Sequence, residues 1–236
     1  MLLQTRGLVL RITKYSESSI IARVFTRERG VQSIILKGVR SSKAKNKAAI
    51  WHPGNLLDMI IYFQSGKNLK NIKECRLHHI YSRVQGNMLR SAMLMFLTEV
   101  LNAVLKEEDE LENTVAYEFV EQQFLKLDEA ELPDKNFHIR FLLRLSNHFG
   151  IYPKDNYSQA APYFKFSEGA FSSVKGNDVL NADASKQLFR IMNGENFNIT
   201  TAQRSQLIEA LLNYYRVQIG DFGTIRSHLI LHQVFA

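Results

Sequence analysis

The hydrophobic period of this chain changes once, near residue 83, and that change constrains the architecture more than any other feature. Before it, apolar residues fall in short runs rich in β-branched and aromatic side chains, separated by turn residues, which is the pattern of strands. Leu2–Ile12 is one extended run and Ser19–Thr26 a second. Arg27-Glu28-Arg29-Gly30 links it tightly to a third, Val31–Lys37, with Gly30 free to take a positive φ, so the pair reads as a hairpin. Leu56–Gln64 is a fourth run and Leu69–Ile80 a fifth. Five strands with a long connection between the third and fourth match the size of an OB-type barrel; a small SH3-like barrel or an open antiparallel sheet competes with it.

From about Arg83 the period becomes helical. In Met88–Lys106, Met88, Leu94, Met95, Leu97, Leu101 and Leu105 recur at three- and four-residue spacing, a stripe that reads as core. Glu107-Glu108-Asp109-Glu110 interrupts it and places negative charge ahead of a helix over about 111–128. Pro133-Asp134 opens a third helix, Phe137–Phe149, which Gly150 ends. Residues 151–179 are irregular, with a short hairpin over Tyr163–Val174. Helices follow over about 183–193 and from Thr200, where Thr200-Thr201-Ala202-Gln203 fits a capping box, to about Ile219; a short one starts near Thr224. The expected fold class is therefore α+β: an N-terminal five-stranded OB-fold barrel over 1–81, then an all-helical domain over 82–236 with a cysteine-free, irregular β-hairpin insertion at about 151–180.

Charge divides along the same line. Residues 1–80 carry fifteen Lys and Arg against four Asp and Glu (Glu17, Glu28, Asp58, Glu74), a surplus of eleven. The remaining 156 residues carry fifteen against nineteen, so the net +7 hides a strongly basic module joined to a mildly acidic remainder. Such a module is a candidate for a polyanion, because neutralised phosphates release condensed counterions without any base contact. The stretch Gly38–Ile50 carries Arg40, Lys43, Lys45 and Lys47 and no acid. Arg11, Lys14 and Lys37 add to it from the strands, and Tyr15 and Trp51 border these basic segments as candidates for stacking on unpaired bases.

The search for covalent chemistry is negative: no Gly-rich phosphate loop, no GxSxG, no HExxH. Cys75 is the only cysteine, which rules out an internal disulfide and a Cys-based zinc site. His228 and His232 share a helical spacing but have no nearby acid or thiol to complete a metal site. No cofactor and no enzymatic activity are expected. No apolar run approaches the ~20 residues that span a bilayer and no signal peptide is visible, so the expected setting is a reducing cytoplasm, without a membrane partner.

The order of several short motifs carries more. Gly7-Leu-Val-Leu-Arg11-Ile-Thr-Lys14-Tyr15-Ser-Glu17 is followed by Val24-Phe25-Thr26 with Gly30, then by Leu36-Lys37-Gly38-Val39-Arg40. Phe141-Leu-Leu-Arg-Leu145, Gly150-Ile-Tyr-Pro153, Phe166-Ser167 with Gly169, and a closing Ser227 with Val234-Phe235 continue the series. This order resembles the bacterial recombination-mediator RecO family across essentially the whole chain. One departure stands out: many family members bind zinc through two CxxC-like pairs after the glycine-x-x-proline segment, whereas residues 154–180 contain no cysteine. Packing of Tyr157, Tyr163, Phe164, Phe166 and Phe171 is the expected substitute.

The resemblance implies a DNA repair function without covalent chemistry. Members bind ssDNA and dsDNA, anneal complementary strands, act with RecR, and help load recombinase onto DNA coated by single-strand-binding protein, whose acidic C-terminal tail they bind through the helical part. Lys37 and Arg40 match the family's strand exit and are the first expected phosphate contacts, followed by Arg11, Lys14, Lys43, Lys45 and Lys47. Arg140 and Arg144, four apart beside Phe141, Leu142, Leu143 and Leu145, are the expected contacts for the tail. An RNA-binding OB-fold module of translation or ribosome assembly is the alternative function, and a nuclease a further one.

Overall fold

The computed structural model describes every residue except 40–48, 65, 107–112, 133 and 236. Five strands, β1 (Leu2–Lys14), β2 (Ile20–Thr26), β3 (Gly30–Leu36), β4 (Leu56–Tyr62) and β5 (Leu69–Leu77), close into a barrel in the order β1-β2-β3-β5-β4. All neighbours are antiparallel except β3 and β5, which pair in parallel at Ser33↔Leu69 to Ile35↔Asn71. This is the OB-fold barrel, which decides between the arrangements left open by the strand pattern. Its interior follows from alternation: Val9, Ile20, Ala22, Val24, Ile34, Leu36, Leu57, Met59 and Ile61 form the core cluster, with Trp51 and Phe63 closing it. Gly7 is required by close approach, since a Cβ there would lie 2.5 Å from Met59 Cε and 2.6 Å from Val24 Cγ1. Gly30 takes φ 57° in the β2–β3 turn, as its position in the sequence predicts.

Two helices complete the first compact unit, which runs from Met1 to Glu131: α1 (Met88–Val104) and α2 (Asn113–Glu129). They bury the outer face of β2, where Phe25 meets Tyr117 of α2 edge-on at 5.4 Å. The chain between barrel and helices is held by the buried carboxylate of Asp128, which accepts from the backbone N–H of Ser82 (3.1 Å), Arg83 (2.8 Å) and Val84 (2.9 Å) and pairs with His79 Nε2 at 2.9 Å. Burial pushes this carboxyl up, but the hydrogen bonds outweigh it and hold its pKa down at about 2. Arg90, 2% exposed, donates to the carbonyls of Leu127 (2.6 Å) and Ala130 (2.6 Å) and so closes the C-terminal end of α2.

The second compact unit, Leu132–Ala236, contains α3 (Phe137–His148), the hairpin β6 (Tyr163–Lys165) and β7 (Ala170–Ser172), α4 (Ala182–Met192), α5 (Thr201–Ile219) and α6 (Ser227–Phe235). The capping box at Thr200 forms as the sequence predicts, with Gln203 N to Thr200 Oγ1 at 3.2 Å and Thr200 N to Gln203 Oε1 at 2.8 Å. Aromatic rings organise the hairpin region: Phe164 lies 5.3 Å from Phe171 and 5.2 Å from Tyr214, and Tyr157 stacks on Phe189 at 4.9 Å. Asn156 fixes the strand edge by exchanging two hydrogen bonds with the backbone of Phe171, at 2.9 and 3.0 Å. Residues 154–180 offer no thiolate for zinc, and their interior is occupied by these rings. Tyr163 stands apart from the cluster, beneath the ammonium of Lys175 at 5.6 Å.

Candidate nucleic-acid interface

β1 has thirteen residues but pairs with β4 only from Leu2 to Leu8; the rest continues with β2 alone, beyond an irregularity between Val9 and Arg11. The ladder then aligns Lys14 with Ile20, and Ile20 with Leu36. Lys14 and Lys37, far apart in sequence, are thereby brought to the same end of the sheet; Arg11 lies three residues back along β1, on its other face, opposite Arg23 in the ladder. All three are exposed, and none forms an ion pair with a described residue. Tyr15, 57% exposed, sits at the tip of this ribbon, where its N–H and that of Ser16 both donate to the Ser19 carbonyl at 3.1 and 3.2 Å.

Several other basic residues of the barrel are engaged inside the fold. Arg6 pairs with Glu121 at 2.7 Å and Arg27 with Glu118 at 2.6 Å, both on α2. Arg23 donates to the carbonyls of Asn102 (2.6 Å) and Leu105 (2.5 Å) at the end of α1. Arg76 and His78 both hold Asp58, at 3.1 and 3.0 Å. The charge surplus counted along the sequence therefore overstates what faces solvent, because Glu118 and Glu121 arrive from beyond residue 80. Sequence order gives no signal for these pairs, whose partners lie 91 and 115 positions away.

The expectation for Trp51 needs correction. Its ring is 2% exposed and belongs to the barrel core, so it offers no open face on which a base can stack. It is among the residues lining a cleft of about 1030 Å³, together with Lys37, Val39 and Ile50 and with Lys73, Cys75 and Arg76 of β5. Arg40, Lys43, Lys45 and Lys47 lie outside the described residues.

In the second unit, Arg144 is exposed, while Arg140 is partly buried and bonded to Asp134 at 3.2 Å and to the Glu195 carbonyl at 3.3 Å. The apolar run beside them is not an open pocket: Phe141, Leu142, Leu143 and Leu145 are at most 2% exposed. An apolar side chain docking near these arginines would need other residues to receive it. Among the described residues no three His, Cys, Asp or Glu side chains group to hold a metal, and His232 instead bonds Ser205. No helix of the described residues is long and apolar enough to cross a membrane.

Comparison with known proteins agrees with this architecture. The family profile described as Recombination protein O N terminal matches residues 1–81, and that described as Recombination protein O C terminal matches residues 85–224. DNA repair protein RecO of Bacteroides fragilis is 28% identical over 243 residues, covering 100% of both chains. The proteins of the same name from Phocaeicola vulgatus and Porphyromonas gingivalis are each 29% identical, again over 100% of both chains. The barrel, the helices that follow it and matches along nearly the whole length agree, and the chain belongs to the RecO family of DNA repair proteins.

Proposed function

We propose that this chain is a recombination mediator that binds ssDNA and dsDNA through the open end of its barrel and anneals complementary strands. The observation that carries the reading is that Lys14 and Lys37 meet at one end of the sheet, with Arg11 exposed nearby on β1, and none forms an ion pair with a described residue, while Arg6, Arg23 and Arg27 are bonded within the fold. Cations held on rigid strands neutralise backbone phosphates without reading sequence, and Tyr15 supplies a ring for an unpaired base. Lys37, Arg40, Arg11 and Lys14 are the proposed phosphate contacts, with Lys43, Lys45 and Lys47 beside them. Annealing requires the repulsion between two polyanions to fall, which a surface of this kind provides with no bond made or broken.

In the cell this activity would act with RecR to load recombinase onto ssDNA coated by single-strand-binding protein, in the cytoplasm at the nucleoid. The coating protein's acidic tail is assigned to Arg140 and Arg144 of α3. The deciding experiment anneals complementary strands precoated with single-strand-binding protein, with and without Mg²⁺. A mediator anneals them under both conditions and leaves them uncut; cleavage that requires Mg²⁺ would identify a nuclease, and a preference for structured RNA would favour the translation module. Replacing Arg140 and Arg144 by Ala is expected to abolish binding of the tail peptide and spare binding to bare DNA; unchanged peptide affinity would move that site elsewhere.

A further inference from the structure

The barrel has a second group of cations, at the end opposite Lys14 and Lys37. There the β2–β3 turn contributes Arg29, the connection from β4 to β5 contributes Lys67, and the start of β5 contributes Lys70. Arg29 Cζ lies 5.0 Å and Lys70 Nζ 4.8 Å from the centroid of one ring, that of Phe63. Lys70 is 5% exposed; its ammonium donates to the carbonyl of Gln64 at 2.8 Å and to that of Lys67. Neither Arg29 nor Lys70 pairs with a carboxylate among the described residues, and the adjacent Glu28 is already held by Thr5 and Arg27. Two like charges converging on one ring repel, and a buried ammonium met only by carbonyls and a ring face keeps much of its desolvation cost. What that arrangement yields is a fixed positive field with no counter-charge among the described residues, the property an anion site needs. Tyr62, next to Phe63, is 51% exposed and pairs across the ladder with Leu2, also 51% exposed. An exposed ring beside unpaired cations suits an unpaired base stacked next to its own backbone phosphate.

We propose that this end of the barrel is a second nucleic-acid site, taking the backbone phosphates of a second single strand through Arg29 and Lys67 over the buried charge of Lys70, with Tyr62 as its stacking ring. The inference rests on the reading that the Lys14–Lys37 end holds the first strand. β3 runs between Arg29 at this end and Lys37 at the other, so the two sites stand at most about 26 Å apart at about 3.3 Å per residue. Two strands held on one chain see each other at a raised effective concentration, and their unbound stretches pair in the space between. Annealing on a single particle then follows from the barrel's two ends and needs no sequence readout.

The test uses the full chain with Arg29→Glu and Lys67→Glu together, leaving the buried Lys70 in place. Two non-complementary single strands carrying donor and acceptor dyes report co-occupancy by energy transfer, and complementary strands report annealing. Wild type is expected to hold both strands. The variant is expected to bind one strand with unchanged affinity, to lose co-occupancy, and to anneal about tenfold more slowly or worse. Co-occupancy and annealing retained in the variant would overturn the proposal. So would thermal protection of the wild type by inorganic phosphate, lost in the variant, with no second strand bound, since that describes a site for the free anion. If the double variant melts early, Lys67→Glu alone, at an exposed position, is expected to reduce co-occupancy with the melting temperature unchanged, and no reduction there would overturn the proposal. Failure of Lys14→Glu with Lys37→Glu to weaken binding of the first strand would instead overturn the reading on which this one rests.

Discussion

The same residue types do opposite things on two sides of one barrel. On the side covered by helices, Arg6, Arg23 and Arg27 are bonded to α1 and α2. At the open end, Lys14 and Lys37 are exposed and make no ion pair with a described residue; the same holds for Arg11, which lies opposite Arg23 in the ladder. A count of basic residues does not separate the two classes, because what distinguishes them is whether a carboxylate or a helix end reaches the cation. Cations bonded within the fold are expected to act on stability, and those at the open end are the ones proposed to act on nucleic acid.

The largest stability effect belongs to the helix-covered side. Arg90→Ala removes the donors from the last carbonyls of α2 in a buried setting, and about 3 kcal/mol or more should be lost in denaturant unfolding. A loss below about 1 kcal/mol would mean that water replaces the guanidinium there.

Acid should separate the two compact units. In the second, burial and then the charge of Arg204 lower the pKa of His138 to about 3. The unfolded chain, with the ordinary value near 6.5, then binds more protons than the folded one between these limits. Stability is full above about 6.5 and falls by about 1.4 kcal/mol per pH unit below it, until the folded pKa is reached. In the first unit the depressed pKa of Asp128 works over a lower range: its contribution is present above about 4 and is lost as pH falls toward 2. Hydrogen exchange at pH 5 should therefore show the second unit opening while amides near Asp128 stay protected. His138→Phe should flatten the dependence of the second unit; an unchanged slope would assign it to another group.

The smallest stability effect should come from the open end. Lys14→Glu with Lys37→Glu should change unfolding free energy by less than about 0.5 kcal/mol, since neither side chain forms an ion pair with a described residue. The same variant should bind DNA at least tenfold more weakly. Reversing Lys154 with Lys165 should leave DNA affinity unchanged, Lys165 being paired with Glu168 at 2.6 Å.

The elements that local sequence controls were legible before the structure. β-branched runs in the first eighty residues mark all five strands, Gly30 marks its turn, and Thr200 with Gln203 marks a helix start. The rings expected to replace zinc do meet one another, except Tyr163. What was not legible depends on distant partners. Trp51 borders a basic segment in sequence but fills the barrel in space, because the chain before β4 folds inward over the interior. Arg140 reads as a free helical arginine until Asp134 and Glu195 come round to it. The cations on Phe63 have no sequence signature at all, since Arg29 and Lys70 meet only when β3 and β5 pair.

The most direct test of the central claim is the salt dependence of single-strand affinity in charge-neutralised chains. Each phosphate contact contributes a slope of roughly −0.7 in a plot of log affinity against log salt. Lys14→Gln with Lys37→Gln should make the slope shallower by about 1.4, while Arg23→Gln, which alters a cation bonded within the fold, should leave it unchanged at a temperature where the variant is folded. Equal slopes in wild type and the lysine variant, or a shallower slope in the Arg23 variant instead, would contradict the division of the barrel's charge described above.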